Sequence, residues 1–88
     1  MHGEIQNWNN GWYGVSLGLS TAEIDRLVAL LTKLRADPEQ HFHISSDYEG
    51  AGGLGDIEIY VAPVGTANNL QISGLAVAPD RELPATGA

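Results

Sequence analysis

Two short stretches, residues 41–47 and 56–61, alternate apolar and polar side chains along the chain. This period of two is typical of a β-strand that buries one face and exposes the other. The glycine-rich segment 50–55 between them predicts a flexible turn. Together the two stretches predict a β-hairpin with one apolar and one polar face. The polar face carries His41, His43, Ser45, Asp47, Asp56, Glu58 and Tyr60.

One amphipathic helix is predicted over residues 21–36. Ser20-Thr21-Ala22-Glu23 is a capping box, in which the Ser20 hydroxyl accepts from the backbone N–H of Glu23 and the Glu23 side chain reaches back. Asp37-Pro38 ends the helix, because the residue before proline is disfavoured in helical conformation. The apolar positions recur at three- and four-residue steps and form one stripe. This stripe consists of Ile24, Leu27, Val28, Leu31 and Leu34.

Further strands are predicted on both sides of these elements. Residues 3–8 and 12–19 form a hairpin pattern around Asn9-Asn10-Gly11, which supplies the positive φ angles of a tight turn. Residues 70–77 predict a last strand and complete the order ββαβββ. The predicted fold class is α+β: a two-layer sandwich whose antiparallel sheet of four to five strands carries the helix on one face. Residues 1–78 are expected to form this single domain, with residues 79–88 as a frayed C-terminal tail.

The charge of the chain excludes several classes of partner. Eleven acidic residues against four Lys and Arg give a net charge of −7, and no Lys or Arg lies between Arg35 and Arg81. Nucleic acids and anionic membranes require clustered cations, so neither is expected as a partner. The long-range electrostatic field of this acidic chain favours a protein partner with a basic surface. The alternative is that the acidity only keeps a small protein soluble.

Cysteine content and hydropathy indicate in which cellular compartment the protein is expected. The chain has no cysteine, so neither a disulfide framework nor a thiolate metal site is expected. The first residues show neither the basic nor the apolar region of a signal peptide, and no apolar run approaches the roughly 18 residues that span a bilayer. The sequence therefore predicts a cytoplasmic protein.

A metal site on the polar face is one alternative that the residue types raise. His41 and His43 share this face with Glu58 of the neighbouring strand, and two imidazoles with a carboxylate could hold zinc or non-haem iron. In the register that we predict, however, His43 pairs with Tyr60 and Ser45 pairs with Glu58. These ligands then do not converge. We therefore predict no metal and no cofactor, and the histidines are interpreted as exposed cross-strand residues.

A group of carboxylates surrounds the glycine-rich turn. Asp47 and Glu49 precede it, Asp56 and Glu58 follow it, and the predicted register sets Asp47 opposite Asp56, where like charges repel. Three interpretations remain open: a solvated loop, a contact for an Arg- and Lys-rich partner, or oxygen ligands for Ca²⁺ or Mg²⁺. The spacing is not that of an EF-hand loop.

Two aromatic residues, Trp12 and Tyr60, are predicted to lie on the open face of the sheet. Exposed aromatic side chains are common anchors of protein interfaces. The alternative for these residues is edge packing or the seam of a homodimer. We predict a binding surface that combines them with the charged residues of the second hairpin. The predicted partner-binding residues are Trp12, His41, His43, Asp47, Glu49, Asp56, Glu58 and Tyr60.

Catalytic residues are not predicted. Ser45, Ser46 and Ser73 lie in strand patterns without the strand-to-helix turn of a nucleophile elbow. The chain is therefore expected not to be an enzyme. Two alternatives stay open: a small metal-dependent or His/Glu-using enzyme acting through His43 and Glu58, and a homo-oligomeric structural domain.

The central stretch also resembles a known family. His41-Phe42-His43-Ile44-Ser45-Ser46-Asp47, with Gly53-Leu54-Gly55-Asp56-Ile57-Glu58-Ile59-Tyr60, is similar to the immunity protein 32 family of bacterial polymorphic toxin systems. The similarity covers about twenty residues, while the rest of the chain matches in size and acidity. It implies a cytosolic inhibitor that binds and blocks a cognate toxin domain.

Overall fold

The computed structural model describes residues 1–74, and they form an α+β fold as predicted. The residues 75–77 of the predicted last strand and the predicted tail 79–88 lie outside this described part. The elements are β1 (His2–Asn7), β2 (Tyr13–Gly18), α1 (Thr21–Ala36), β3 (His41–Ser45) and β4 (Asp56–Tyr60).

The first hairpin is confirmed. β1 and β2 pair antiparallel, with Ile5 opposite Val15. The connection uses positive φ angles at Asn9 (58°) and Gly11 (94°), and the backbone N–H of Trp8 donates to the carbonyl of Trp12 at 3.1 Å. Trp12 therefore lies in the connection itself, immediately before β2.

The helix is confirmed with the bounds expected from its capping box. The backbone N–H of Glu23 donates to Ser20 Oγ at 3.2 Å, and the backbone N–H of Ser20 donates to Glu23 Oε1 at 2.9 Å. At the other end Asp37 has left the helical conformation, with φ −132° and ψ 82°. Local sequence signals thus fix both ends of α1.

The predicted single sheet of four to five strands is not confirmed. The described residues form two separate two-stranded antiparallel sheets, β1–β2 and β3–β4. Residues 70–74 form no strand, and Leu70 and Ile72 are 88% and 93% exposed. The side chains of residues 70–73 alternate but are exposed on both faces. Burial of one face is what stabilises a strand in a sheet.

The core of the described residues is small and lies between α1 and the apolar side chains of β3. Leu27 and Leu30 of the helix line a cleft together with Phe42 and Ile44 of β3. Leu34 is the one buried hydrophobic residue of this part of the chain, at 6% exposure. Much of the remaining apolar surface of the helix and of the first hairpin stays in contact with solvent.

The side chain of Glu23 makes the stability of the folded chain depend on pH. Hydrogen bonds from the N-terminal ammonium, 2.8 Å from Glu23 Oε2, and then from the backbone and side chain of Ser20 lower the pKa of Glu23 from 4.5 to about 2. A carboxyl whose pKa is lower in the folded state stabilises that state above its unfolded pKa. We expect this stabilisation to be lost as pH falls from about 4.5 to about 2.

The measurement is the melting temperature of the wild type and of Glu23→Gln across that pH range. The difference between the two proteins should shrink steadily with acidification, because protonated Glu23 and the neutral amide become equivalent in charge. A difference that stays constant down to pH about 2 would contradict the assignment.

Candidate functional site: the polar face of the second hairpin

The strands β3 and β4 present one polar and one apolar face, as the alternation predicted. Phe42, Ile44, Ile57 and Ile59 are half-buried, and the residues between them are exposed. We call the exposed side the β3–β4 polar face. It consists of His41, His43, Ser45, Asp56, Glu58 and Tyr60.

The predicted register of this hairpin is wrong by two residues. His43 pairs with Glu58 and Ser45 with Asp56, while His41 takes the place opposite Tyr60. The backbone N–H of Ser46 donates to the carbonyl of Gly55 at 2.8 Å and closes the ladder. Asp47 is thereby left in the loop, so the like-charge pair of Asp47 and Asp56 that the sequence predicted does not form.

Asp56 has hydrogen-bond donors beside it in place of that like charge. His43 Nδ1 lies 2.9 Å from Asp56 Oδ2, and the Ser45 hydroxyl donates to Asp56 Oδ1 at 2.8 Å. These hydrogen bonds, first from His43 and then from Ser45, lower the pKa of Asp56 below its ordinary value. An ionised carboxylate only accepts, so the proton of this contact resides on His43 Nδ1.

The observed register brings together His41, His43 and Glu58, which the predicted register kept apart. His41 Nε2 lies 4.0 Å from Glu58 Oε1, and the rings of His41 and His43 meet edge to face with centroids 5.0 Å apart. One potential ligand atom from each of His41, His43 and Glu58 lies within 4.8 Å of the other two. All three side chains are exposed.

The remaining acidic residues, Asp47 and Glu49, lie in the loop that joins β3 to β4. Asp47 Oδ1 accepts from the backbone N–H of Glu49 at 3.2 Å, and the intervening Tyr48 has a positive φ of 59°. The predicted acidic cluster is therefore divided. Two carboxylates lie among histidines on the strands, and two lie in a locally hydrogen-bonded loop.

The two predicted aromatic contacts lie on different hairpins. Trp12 is 71% exposed beside β2, and Tyr60 is 55% exposed at the end of β4. Because the two sheets are separate, no continuous sheet face in the described residues presents both. Ser45, which was not among the predicted contacts, holds Asp56 in place. Its position two residues after His43 on the same face was the available signal.

Comparison with known proteins finds no match to a family model, a curated protein or a solved structure. Within residues 1–74, no helix is long and apolar enough to cross a membrane. Function is therefore inferred from the residues and their geometry.

Proposed function

We propose that this chain is a small acidic binding protein that associates with a protein of basic surface and is not itself an enzyme. The observation that carries this proposal is the amount of apolar surface exposed in so small a domain. Trp12, immediately before β2, and Tyr60, at the end of β4, are 71% and 55% exposed. Exposed apolar patches and aromatic side chains mark interaction sites more often than monomer surface.

Charge selects the kind of partner. The net charge of −7 and the carboxylates Asp47 and Glu49, exposed in the loop of the second hairpin, favour a surface rich in Arg and Lys. Complementary charges of this kind speed association and exclude acidic partners more than they add affinity. The apolar and aromatic contacts then supply the affinity, and the acidic loop supplies orientation.

The resemblance of residues 41–60 to immunity protein 32 narrows the proposal to one biological role. In that role the chain is a bacterial, cytoplasmic member of a toxin–antitoxin pair and blocks its cognate toxin domain. The β3–β4 polar face, the loop after β3 and Trp12 form the proposed interface. An inhibitor needs no catalytic groups of its own, which agrees with the predicted lack of a nucleophile.

The test is binding to the protein encoded next to this gene. We expect a stable complex whose association rate falls as ionic strength rises from about 50 mM to about 500 mM, because salt screens exposed charges. The double variant Asp47→Asn with Glu49→Gln should associate more slowly and show a weaker salt dependence. Glu39→Gln, an exposed acid outside the proposed interface, is the matched control and should behave as wild type.

Two results would count against this role. If no product of a neighbouring gene binds, the inhibitor proposal fails. If the chain is a stable dimer by native mass spectrometry and the exposed apolar residues are protected in it, the alternative of a homo-oligomeric domain replaces the hetero-complex. A monomer retains the proposal.

A further inference from the structure

The β3–β4 polar face, which belongs to the proposed interface, also holds a set of side chains that could bind a metal ion. His41 and His43 are two residues apart on one strand and project from the same face, and Glu58 is the cross-strand partner of His43. Two imidazoles and one carboxylate thus stand together on an exposed surface, with ligand atoms within 4.8 Å of one another. We propose that His41, His43 and Glu58 bind a zinc ion.

The surroundings of His43 support this assignment over an accidental cluster. Asp56 Oδ2 accepts a hydrogen bond from the Nδ1–H group of His43 at 2.9 Å, which leaves the lone pair of His43 Nε2 free for a metal. Ser45 in turn donates to the other carboxylate oxygen of Asp56 at 2.8 Å. Metal-binding histidines are oriented in this way, with a carboxylate on the second ring nitrogen.

The remaining histidine of the chain gives the comparison. His2 Nε2 lies 2.9 Å from Glu4 Oε1, which is an ordinary exposed histidine–carboxylate pair. Neither residue belongs to a cluster of three potential ligands within residues 1–74. The site on β3–β4 differs from it by a second imidazole and by the oriented ring of His43.

The geometry suits zinc after small side-chain movements. Bonds of about 2.0–2.1 Å at a tetrahedral centre place neighbouring ligand atoms roughly 3.4 Å apart. His41 Nε2 and Glu58 Oε1 are 4.0 Å apart, and the three ligand atoms all lie within 4.8 Å of one another, so rotation of the exposed side chains would have to bring them up to about 1.4 Å closer. Nitrogen donors favour zinc over Ca²⁺ and Mg²⁺, which prefer oxygen ligands. Three protein ligands leave the fourth position to water or to a side chain of a partner.

The experiment is calorimetric titration of the full chain, without a histidine tag, with zinc chloride. We expect one zinc ion per chain and no binding of magnesium chloride. His41→Ala, His43→Ala and Glu58→Gln should each abolish this stoichiometric binding. Asp56→Ala should weaken it by about 10- to 100-fold, the usual effect of removing the carboxylate behind a ligating histidine.

His2→Ala is the matched control and should bind zinc as the wild type does. Because the substituted side chains are exposed, each variant should keep the wild-type circular dichroism and melting temperature without metal. The proposal is overturned if the wild type binds no zinc, if His2→Ala loses the ion, or if His43→Ala retains it. A zinc-free chain that still binds its protein partner would refute this site and leave the proposed function standing.

Discussion

Replacing Leu34 with alanine is expected to lower the free energy of unfolding by about 2–5 kcal/mol, the usual range for a buried leucine. Leu34 is the one buried hydrophobic residue of the described chain. A domain of this size has a total stability on the order of 4–13 kcal/mol, at about 0.05–0.15 kcal/mol per residue. The substitution therefore removes a large fraction of the total, and the variant should be partly unfolded near physiological temperature.

Urea denaturation of Leu34→Ala measures this loss, and a slope equal to that of the wild type would show that the substitution changes stability alone. Val28→Ala, on the same helix but 57% exposed, is the control and should change stability by less than about 0.5 kcal/mol. An equal loss in both variants would show that the outer surface of the helix is covered in solution. That outcome would favour the homo-oligomeric alternative.

If the proposed protein complex forms, Trp12→Ala is expected to weaken it by about 2 kcal/mol, or roughly 30-fold in Kd, as for an aromatic interface anchor. Its side chain is 71% exposed and free to enter a pocket of the partner. Stability of the isolated chain should change little, because the side chain buries little surface in the fold.

Trp8 provides a matched control on the other side of the same connection. A Cβ added to Gly14 would lie 3.0 Å from Trp8 Cζ2, so the indole of Trp8 packs against the backbone of β2. Trp8→Ala should therefore lower the stability of the chain more than its affinity for the partner. If Trp8→Ala and Trp12→Ala weaken the complex equally, the connection as a whole and not Trp12 is the contact. Surface plasmon resonance and thermal denaturation of both variants separate these outcomes.

The parts of this fold that follow from local sequence signals were predictable. Ser20 and Glu23 fix the start of the helix through two short-range hydrogen bonds, and Asn9 and Gly11 supply the backbone angles of the first connection. These signals act within a few residues, so they need no knowledge of the rest of the chain. The separation of the two sheets depends on long-range packing, and no local pattern encodes it.

The candidate site was predictable in composition but not in arrangement. Alternation assigns each side chain to a face, and a shift of the register by two residues leaves every assignment unchanged. The predicted residues of the polar face were therefore correct except for Asp47, which lies in the loop, while the predicted cross-strand neighbour of His43 was wrong. The observed register is closed by the hydrogen bond from the backbone N–H of Ser46 to the carbonyl of Gly55, and Asp47 is left in the loop. Only with this closure does Glu58 stand opposite His43.

The two small sheets have a consequence for how the protein behaves at high concentration. Each of the four strands in residues 1–74 has one neighbour, so each keeps one edge with backbone groups unpaired by another strand of this part. Such edges are templates for pairing between chains, and like charge is a common protection against it. The net charge of −7 supplies this repulsion between copies of the chain, so acidification should promote their association through the strand edges.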